Sequence, residues 1–137
     1  MNVNFHEIHD IDDALLSYAV IVSRYMDKWV FCKNKTRKSW EIPGGRREAN
    51  EAIFDTAKRE LFEETGAVEF NIMPICVYSV ENESFGMLFF ADIIELGRLP
   101  DLEIEKIDFF EDIPENLSFP LIMPKLIGRV KNVLHIV

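Results

Sequence analysis

Cysteine is scarce in this chain, and long apolar runs are missing altogether. Cys32 and Cys76 are its two cysteines, far apart in a sequence of 137 residues. They form neither a redox pair nor a metal-ligand spacing, so buried, reduced thiols in a reducing compartment are expected. No stretch approaches the roughly 18 apolar residues that a membrane-spanning helix needs. The opening MNVNFHEIHD lacks a basic n-region and an apolar h-region, so no secretion signal is expected and a cytoplasmic location follows. Histidine is also sparse: His6, His9 and His135 show no ligand spacing and read as surface or terminal residues. Positive charge is in deficit, with 15 Lys and Arg against 24 Asp and Glu and a net charge of −9. That balance argues against stable binding to nucleic-acid backbones. With no repeat, low-complexity tract or Gly/Ser linker, residues 1–137 are expected to form one domain. Nothing in the sequence distinguishes a monomer from a homodimer.

What is present is an ordinary globular composition, 48% apolar and 12% aromatic, arranged in readable segments. LLSYAVIVSRY (15–25) and KWVFCKN (28–34) are β-branched and apolar and predict two strands across Met26-Asp27. Trp40 to Ile42 is a short extended piece, and Pro43-Gly44-Gly45 after it predicts a turn. Asn50 is a candidate N-cap, residues 51–65 contain no Gly or Pro, and Gly66 stands where a helix-terminating glycine belongs. FNIMPICVYSV (70–80) and SFGMLFFADII (84–94) predict a hairpin across residues 81–83, with Pro74 marking a bulge or an edge. EIEKIDFFE (103–111) predicts a last strand. Residues 120–134 predict a closing amphipathic helix with Leu126, Val130, Val133 and Leu134 inward, Pro124 leaving its start open. Strands around one helix, with a second packed back, imply an α/β or α+β sandwich.

The helix over 51–65 carries RELFEETG, and Glu60, Glu63 and Glu64 fall within an arc of about 100° on it. Like charges at that spacing oppose helix formation by a few tenths of a kcal/mol per pair. A water-exposed acidic face is the plain explanation; a divalent cation is the sharper one, because Mg²⁺ takes carboxylate oxygens and shares its sphere with substrate phosphates. The surroundings favour the second. Phe54, Ala57 and Leu61 form a neighbouring apolar stripe that docks the helix and leaves the acids facing a cleft. Gly44-Gly45 offers unhindered backbone upstream. Lys33, Lys35, Arg37, Lys38, Arg46 and Arg47 crowd the same stretch with Glu41 as the one acid among them, and such bases meet phosphate oxygens. Acids for metal, glycine for close approach and bases for phosphate together read as a diphosphate site.

From Gly45 through Glu51 to Arg59-Glu60-Leu61-Phe62-Glu63-Glu64-Thr65-Gly66-Ala67, the chain resembles the Nudix box. Every glycine, glutamate and arginine position of that pattern is filled, and Ala67 stands where a larger aliphatic is usual. The resemblance implies a Nudix α/β/α sandwich with a mixed β-sheet between the box helix and a C-terminal helix. It implies a Mg²⁺-dependent (or Mn²⁺-dependent) hydrolase of a nucleoside diphosphate linked to another moiety. By position, Glu60, Glu63 and Glu64 resemble metal-binding acids, with Glu64 and Glu60 as direct ligands and the Gly44 carbonyl as a backbone ligand. Arg59 and Glu51 resemble an orienting pair. Glu103 stands where a further acid outside the box is expected, Glu105 next in line, and Glu63 or Glu103 would be the general base. Gly45, Lys38, Arg46 and Arg47 near the turn would hold substrate phosphate.

The compact length and the segment FFEDIPENL resemble MutT-like members. They imply a nucleoside triphosphate, with oxidised guanine nucleotides as a candidate, hydrolysed to a monophosphate and pyrophosphate. In guanine-selective members an Asn near the last helix reads the base; Asn116 lies near that position, with Ser118 as its other occupant, and Phe5, Tyr78, Phe85 or Phe119 would stack on the base, although each aromatic is more often a core residue. The alternatives are an RNA 5′ end, a non-nucleoside diphosphate, or a nucleotide-binding module without catalysis.

Overall fold

The computed structural model describes residues 1–137 as a single sheet between two helices. In chain order the elements are β1 (Val3–His6), β2 (Leu16–Tyr25), β3 (Lys28–Asn34), β4 (Trp40–Glu41), β5 (Gly44–Arg46), α1 (Ile53–Thr65), β6 (Ala67–Val80), β7 (Ser84–Leu96), β8 (Ile104–Phe110) and α2 (Met123–Leu134). Two one-turn 3-10 segments, Ile8–Asp10 and Asp13–Leu15, join β1 to β2. The sheet runs β1-β6-β7-β2-β3-β4, with β5 also on β2 and β8 also on β3. β2 and β7 are parallel and the other pairs antiparallel, so the sheet is mixed.

Strand alternation assigns the two faces. Met87, Phe89, Ala91 and Ile93 of β7 face α1 with Ile21, Ala57 and Leu61. Leu88 faces the other way, toward α2, with Val22, Phe31, Met123, Leu126, Ile127 and Val130. Helices on both faces explain why β2 and β7 are nearly continuous apolar runs. This is the expected α/β/α sandwich.

The feature that positions the site is a splayed hairpin. β2 and β3 pair only at Arg24↔Trp29 and Tyr25↔Lys28 and then diverge. β5 fills the gap along β2, at Tyr18↔Arg46, Ala19↔Gly45 and Val20↔Gly44, while β4 lies along β3. Gly44-Gly45 is therefore strand, which corrects the expected turn. Its glycines serve close packing: a Cβ on Gly44 would press on the Ala19 carbonyl, and one on Gly45 would run into the Glu60 carboxylate.

Other expectations shift for local reasons. α1 starts at Ile53 behind an Ala52 cap, because Asn50 is left-handed at φ 62° and belongs to the preceding turn. No side chain caps the helix start; Glu51 instead accepts from Thr56 Oγ1 at 2.7 Å and from the Glu48 N–H at 3.1 Å. Gly66 ends the helix at φ 80°, as expected, its N–H on the Phe62 carbonyl. The 81–83 hairpin turns on left-handed Glu81 and Asn82, and the β6 register shifts between Pro74 and Cys76, the expected bulge. α2 begins at Met123, with Pro124 in the first turn where its missing N–H is harmless. Val133 of that helix is exposed rather than core. β1 carries no clear signal in the sequence; it adds His6 to the sheet, where its ring meets Ser79 Oγ at 2.8 Å. Both cysteines are buried and free.

Candidate active site

α1 docks on the sheet through Ile53, Ala57 and Leu61, and this rotation turns Glu60 and Glu64 toward β5. Glu60 is 8% and Glu64 7% exposed. The Gly44 N–H donates to Glu64 Oε1 at 2.9 Å, while Glu60 Oε2 is buried without a hydrogen-bond partner. Glu63 lies one step around the helix, more exposed, and accepts from Arg59 Nη1 at 3.3 Å. Glu103 joins them from across the sheet. The Lys35 N–H donates to the Glu103 carbonyl at 2.9 Å, which pins the start of β8 against β3. Glu60, Glu63, Glu64, Glu103 and Leu102 together line a cavity of about 280 Å³. Glu105, two residues on, pairs with Lys38 Nζ at 2.6 Å and is not part of that cavity.

Burial pushes the Glu64 carboxyl up to about 8; the Gly44 N–H opposes the shift, and Glu60, Glu41 and Glu103 add to it. Burial likewise pushes Glu60 up to about 7, with Glu63 raising it further and Arg59 pulling it back. Arg59 itself grips Glu51 with both ends of its fork, Nε to Oε2 at 2.7 Å and Nη2 to Oε1 at 3.0 Å. This bond holds the Glu51 carboxyl down at about 2. Arg59 Nη2 also reaches the Arg46 carbonyl at 3.1 Å, tying α1 to β5.

The donor set fits a hard divalent cation. An orphaned buried oxygen on Glu60, two carboxyls whose ionisation burial suppresses, and glycine backbone flush against them are what such an ion would satisfy. No three His, Cys, Asp or Glu side chains already converge into a closed cage. Arg59 Nη1 stands 3.3 Å from Glu63 Oε1 and 3.6 Å from Glu60 Oε2.

The basic residues sort differently from the sequence expectation. Arg47 is used elsewhere, donating to the Asp13, Leu16 and Glu51 carbonyls and to Asp13 Oδ2, and so braces the loop before β2. Lys38 and Lys35 are bound to Glu105 and Asp101. Arg46 is free at one end, its guanidinium 5.0 Å above the Tyr18 ring and donating to the Tyr18 hydroxyl.

Across β5 from the acids lies a second cavity of about 400 Å³ between the sheet and the start of α2. Tyr18, Val20, Ile42, Tyr78, Phe119 and Met123 are among its lining, and Gly44 and Gly45 form its near wall. Of the expected stacking aromatics, Tyr78 and Phe119 line it; Phe5 and Phe85 are packed into the core clusters instead. Neither Asn116 nor Ser118 lines it: Asn116 Nδ2 is on the Lys38 carbonyl, and Ser118 is buried against Ser39. Sequence reasoning passed over Arg37 and Glu41, which do line it. The available signal was Glu41 itself, a lone acid in a basic stretch within a short strand.

The α/β/α sandwich thus carries an acid-lined cavity beside an apolar cleft, with the Gly44-Gly45 strand lining the cleft and bonded to the acids. The model for the NUDIX domain matches residues 16–111. The chain belongs to the NUDIX domain family. It is 33% identical over 102 residues to a candidate 8-oxo-dGTP diphosphatase, YtkD, of Bacillus subtilis, covering 72% of this chain and 64% of that one. It is 56% identical over 67 residues to the mouse nucleoside diphosphate-linked moiety X motif 6, covering 49% of this chain and 21% of that protein. The chain thus spans less than two thirds of the length of these relatives. Among solved structures, the Bacillus subtilis pyrophosphohydrolase BsRppH shares the fold with a TM-score of 0.78 at 24% identity, covering 95% of this chain and 90% of that one.

The close approach of Gly45 to Glu60 makes a local prediction. Gly45→Ala is expected to fold, since Gly45 takes no positive φ, but to displace the Glu60 carboxylate. Mg²⁺ affinity, measured by calorimetry, should drop by about 10- to 100-fold, the range seen when groups supporting a metal site are disturbed. An unchanged affinity would remove Glu60 from the site.

Proposed function

We propose that the chain is a Mg²⁺-dependent pyrophosphohydrolase of nucleoside triphosphates, releasing a monophosphate and pyrophosphate; Mn²⁺ is the alternative ion. The observation that carries this reading is the place of β5: Gly44 and Gly45 line the apolar cleft, while the Gly44 N–H bonds Glu64 and Gly45 abuts Glu60, two of the acids that line the other cavity. A diphosphate lying along Gly44-Gly45 reaches the carboxylates on one side while its nucleoside enters the apolar cleft on the other. Such a cleft, mostly apolar with a few polar groups, has the size and lining of a small-molecule site.

In this reading Glu60, Glu63 and Glu64 hold the cation, which when bound neutralises diphosphate charge and acidifies a coordinated water. Glu103, in the bend just before β8, lines the same cavity and would accept the proton of the attacking water, as general base; Glu63, engaged by Arg59, is the second choice. Arg59 and Glu51 act through position, fixing α1 against β5. Arg46, stacked over Tyr18 of the cleft lining, would meet phosphate oxygens, and the Gly45 backbone admits them closely, while Arg37 is held by Glu41. Water adds across one phosphoanhydride bond, the proton going to the base and the pyrophosphate leaving. The net chemistry is positioning plus charge stabilisation. Binding along an RNA chain is disfavoured by the pairing of Lys35 and Lys38 with Asp101 and Glu105, which neutralises much of the positive face that the basic stretch suggested. The relative YtkD, named for 8-oxo-dGTP, supports the triphosphate reading.

The test is product analysis. With Mg²⁺ and a panel of nucleoside triphosphates that includes 8-oxo-dGTP, alongside ADP-ribose and dinucleoside polyphosphates as other substrate classes, pyrophosphate should appear from a triphosphate. Glu103→Gln should lower kcat about 100-fold while leaving Mg²⁺ binding in place, as loss of a general base does. Binding of nucleotides without turnover of any would replace the hydrolase by a sensing module.

A further inference from the structure

Asp101, Glu103 and Glu105 alternate with other residues across the start of β8. The outer two are held by lysines of one loop, Asp101 by Lys35 Nζ at 2.6 Å and Glu105 by Lys38 Nζ at 2.6 Å. The middle one, Glu103, is exposed, takes no part in either pair and lines the acid cavity with Glu60, Glu63 and Glu64. Like charges in that cavity push its carboxylate outward, so its backbone must keep it in place. Two features of the chain do so. The Lys35 N–H donates to the Glu103 carbonyl at 2.9 Å. β8 also carries an extra residue: Lys33 stands opposite Lys106 but Asn34 opposite Ile104, which leaves Glu105 as a bulge. On a regular strand residues 103 and 105 would share a face. The bulge parts them, one to the cavity and one to Lys38.

The two lysines stand on a firm support. Their loop is closed by the Lys38 N–H on the Asn34 carbonyl at 2.9 Å. The buried Asn34 side chain accepts from the Thr36 and Arg37 N–H groups at 2.8 and 3.0 Å. Exposed ion pairs add little to the stability of a whole chain, so the effect of these two is local. We propose that Lys35 and Lys38 are positioning residues: by gripping Asp101 and Glu105 on either side, they hold Glu103 at the acid cavity, where it takes the proton of the attacking water. The proposal rests on the hydrolase reading above, with Glu103 as base, and gives the two lysines a role other than phosphate binding.

The test breaks both pairs from the acid side, which leaves the lysines free. Asp101→Asn/Glu105→Gln should lower kcat about 10- to 100-fold, the upper end being what a misplacement of about 1 Å costs. KM for the triphosphate should not rise, and Mg²⁺ affinity by calorimetry should hold. Reversing both pairs, Lys35→Asp/Asp101→Lys with Lys38→Glu/Glu105→Lys, should restore most of the loss, because the contacts return with their charges exchanged. Hydrogen exchange gives a second readout: the Lys35 amide, bonded to Glu103, should exchange faster in the broken variant while the amides of β7 keep their protection. An undiminished kcat in the broken variant, beside a slow Glu103→Gln, overturns the positioning role and leaves the hydrolase reading standing. A loss that the reversed pairs do not restore, with KM raised, overturns it too and returns the lysines to phosphate binding. Full turnover by Glu103→Gln removes Glu103 as base and this proposal with it, and no turnover of any triphosphate by the parent overturns both readings.

Discussion

Glu64→Gln is expected to lower kcat about 1000-fold or more with little loss of folded structure. The carboxylate has two roles that the amide cannot combine. One oxygen accepts the Gly44 N–H at 2.9 Å, and the group lies 7% exposed between α1 and β5 with Glu60 and Glu103 as charged neighbours. Gln keeps the size and can still accept from Gly44, so the packing of α1 survives. What it loses is the negative charge. Metal-borne charge stabilisation is worth several kcal/mol in the transition state, and each 1.36 kcal/mol is a factor of ten in rate, which gives the magnitude. Because Gln never ionises, the variant avoids charging a buried group beside Glu60 above about pH 8, and its thermal stability without metal should there equal or exceed that of the parent. Loss of activity together with undiminished stability would separate a functional acid from a structural one. A variant retaining more than about a tenth of the parental kcat would remove Glu64 from the metal site.

The acids of α1 were legible because helical spacing is a strict geometric rule: three glutamates at 60, 63 and 64 can occupy only one face, and an apolar stripe of Ala57 and Leu61 beside them fixes which way it turns. The same holds for β2, β3, β6 and β7, whose apolar runs are long enough to outweigh local exceptions. Glu103 was reachable because it resembles a residue position, but its choice over Glu105 needed the strand: the start of β8 leaves one acid at the cavity and carries the other to Lys38.

Three kinds of feature were not legible. Gly44-Gly45 carries a turn signal, and only the divergence of β2 from β3 makes room for it as a strand. Arg47 and Arg46 are chemically alike and adjacent; extended backbone sends neighbouring side chains to opposite faces, so one braces Asp13 while the other remains at the cleft. The apolar cleft fails for a similar reason. Its lining comes from β2, β4, β5, β6, Ser84 of β7, the loop residues Arg37 and Ile42, and the segment from Phe119 to Leu126, a set assembled by topology with no common spacing. β1 is four residues long and pairs only with the end of β6, too short for any pattern to declare it.

The metal-free chain should lose stability as pH rises from 5 to 8, and Mg²⁺ should reverse the trend. In the folded state the Glu60 and Glu64 carboxyls are raised from 4.5 to about 7 and about 8 by burial, while in the unfolded chain both ionise in the ordinary carboxylate range. Between those values the folded state holds more protons than the unfolded one, so unfolding becomes easier with each rise in pH. The stability these two groups give is therefore complete below about pH 4.5 and is gone above pH 8. Glu51 acts oppositely: Arg59 lowers it to about 2, so its contribution is present above pH 4.5 and is lost as pH falls toward 2. Chelated protein should then show its highest melting temperature near pH 5, the two opposing slopes meeting there. A bound divalent cation favours the ionised carboxylates, releases their protons and binds the folded chain alone. At 100 times its dissociation constant it adds about 2.7 kcal/mol, which for a chain of this length corresponds to roughly 10 °C. The rise should be largest at pH 8 and small at pH 5, where the cation competes with protons. Scanning calorimetry from pH 4 to 9, in EDTA and in excess Mg²⁺, measures both slopes. Glu60→Gln/Glu64→Gln should flatten the EDTA curve above pH 5 and abolish the Mg²⁺ shift. A melting temperature that climbs from pH 5 to 8 in EDTA would mean that the two acids are ionised in the folded chain, and the charge-starved site described above would be wrong.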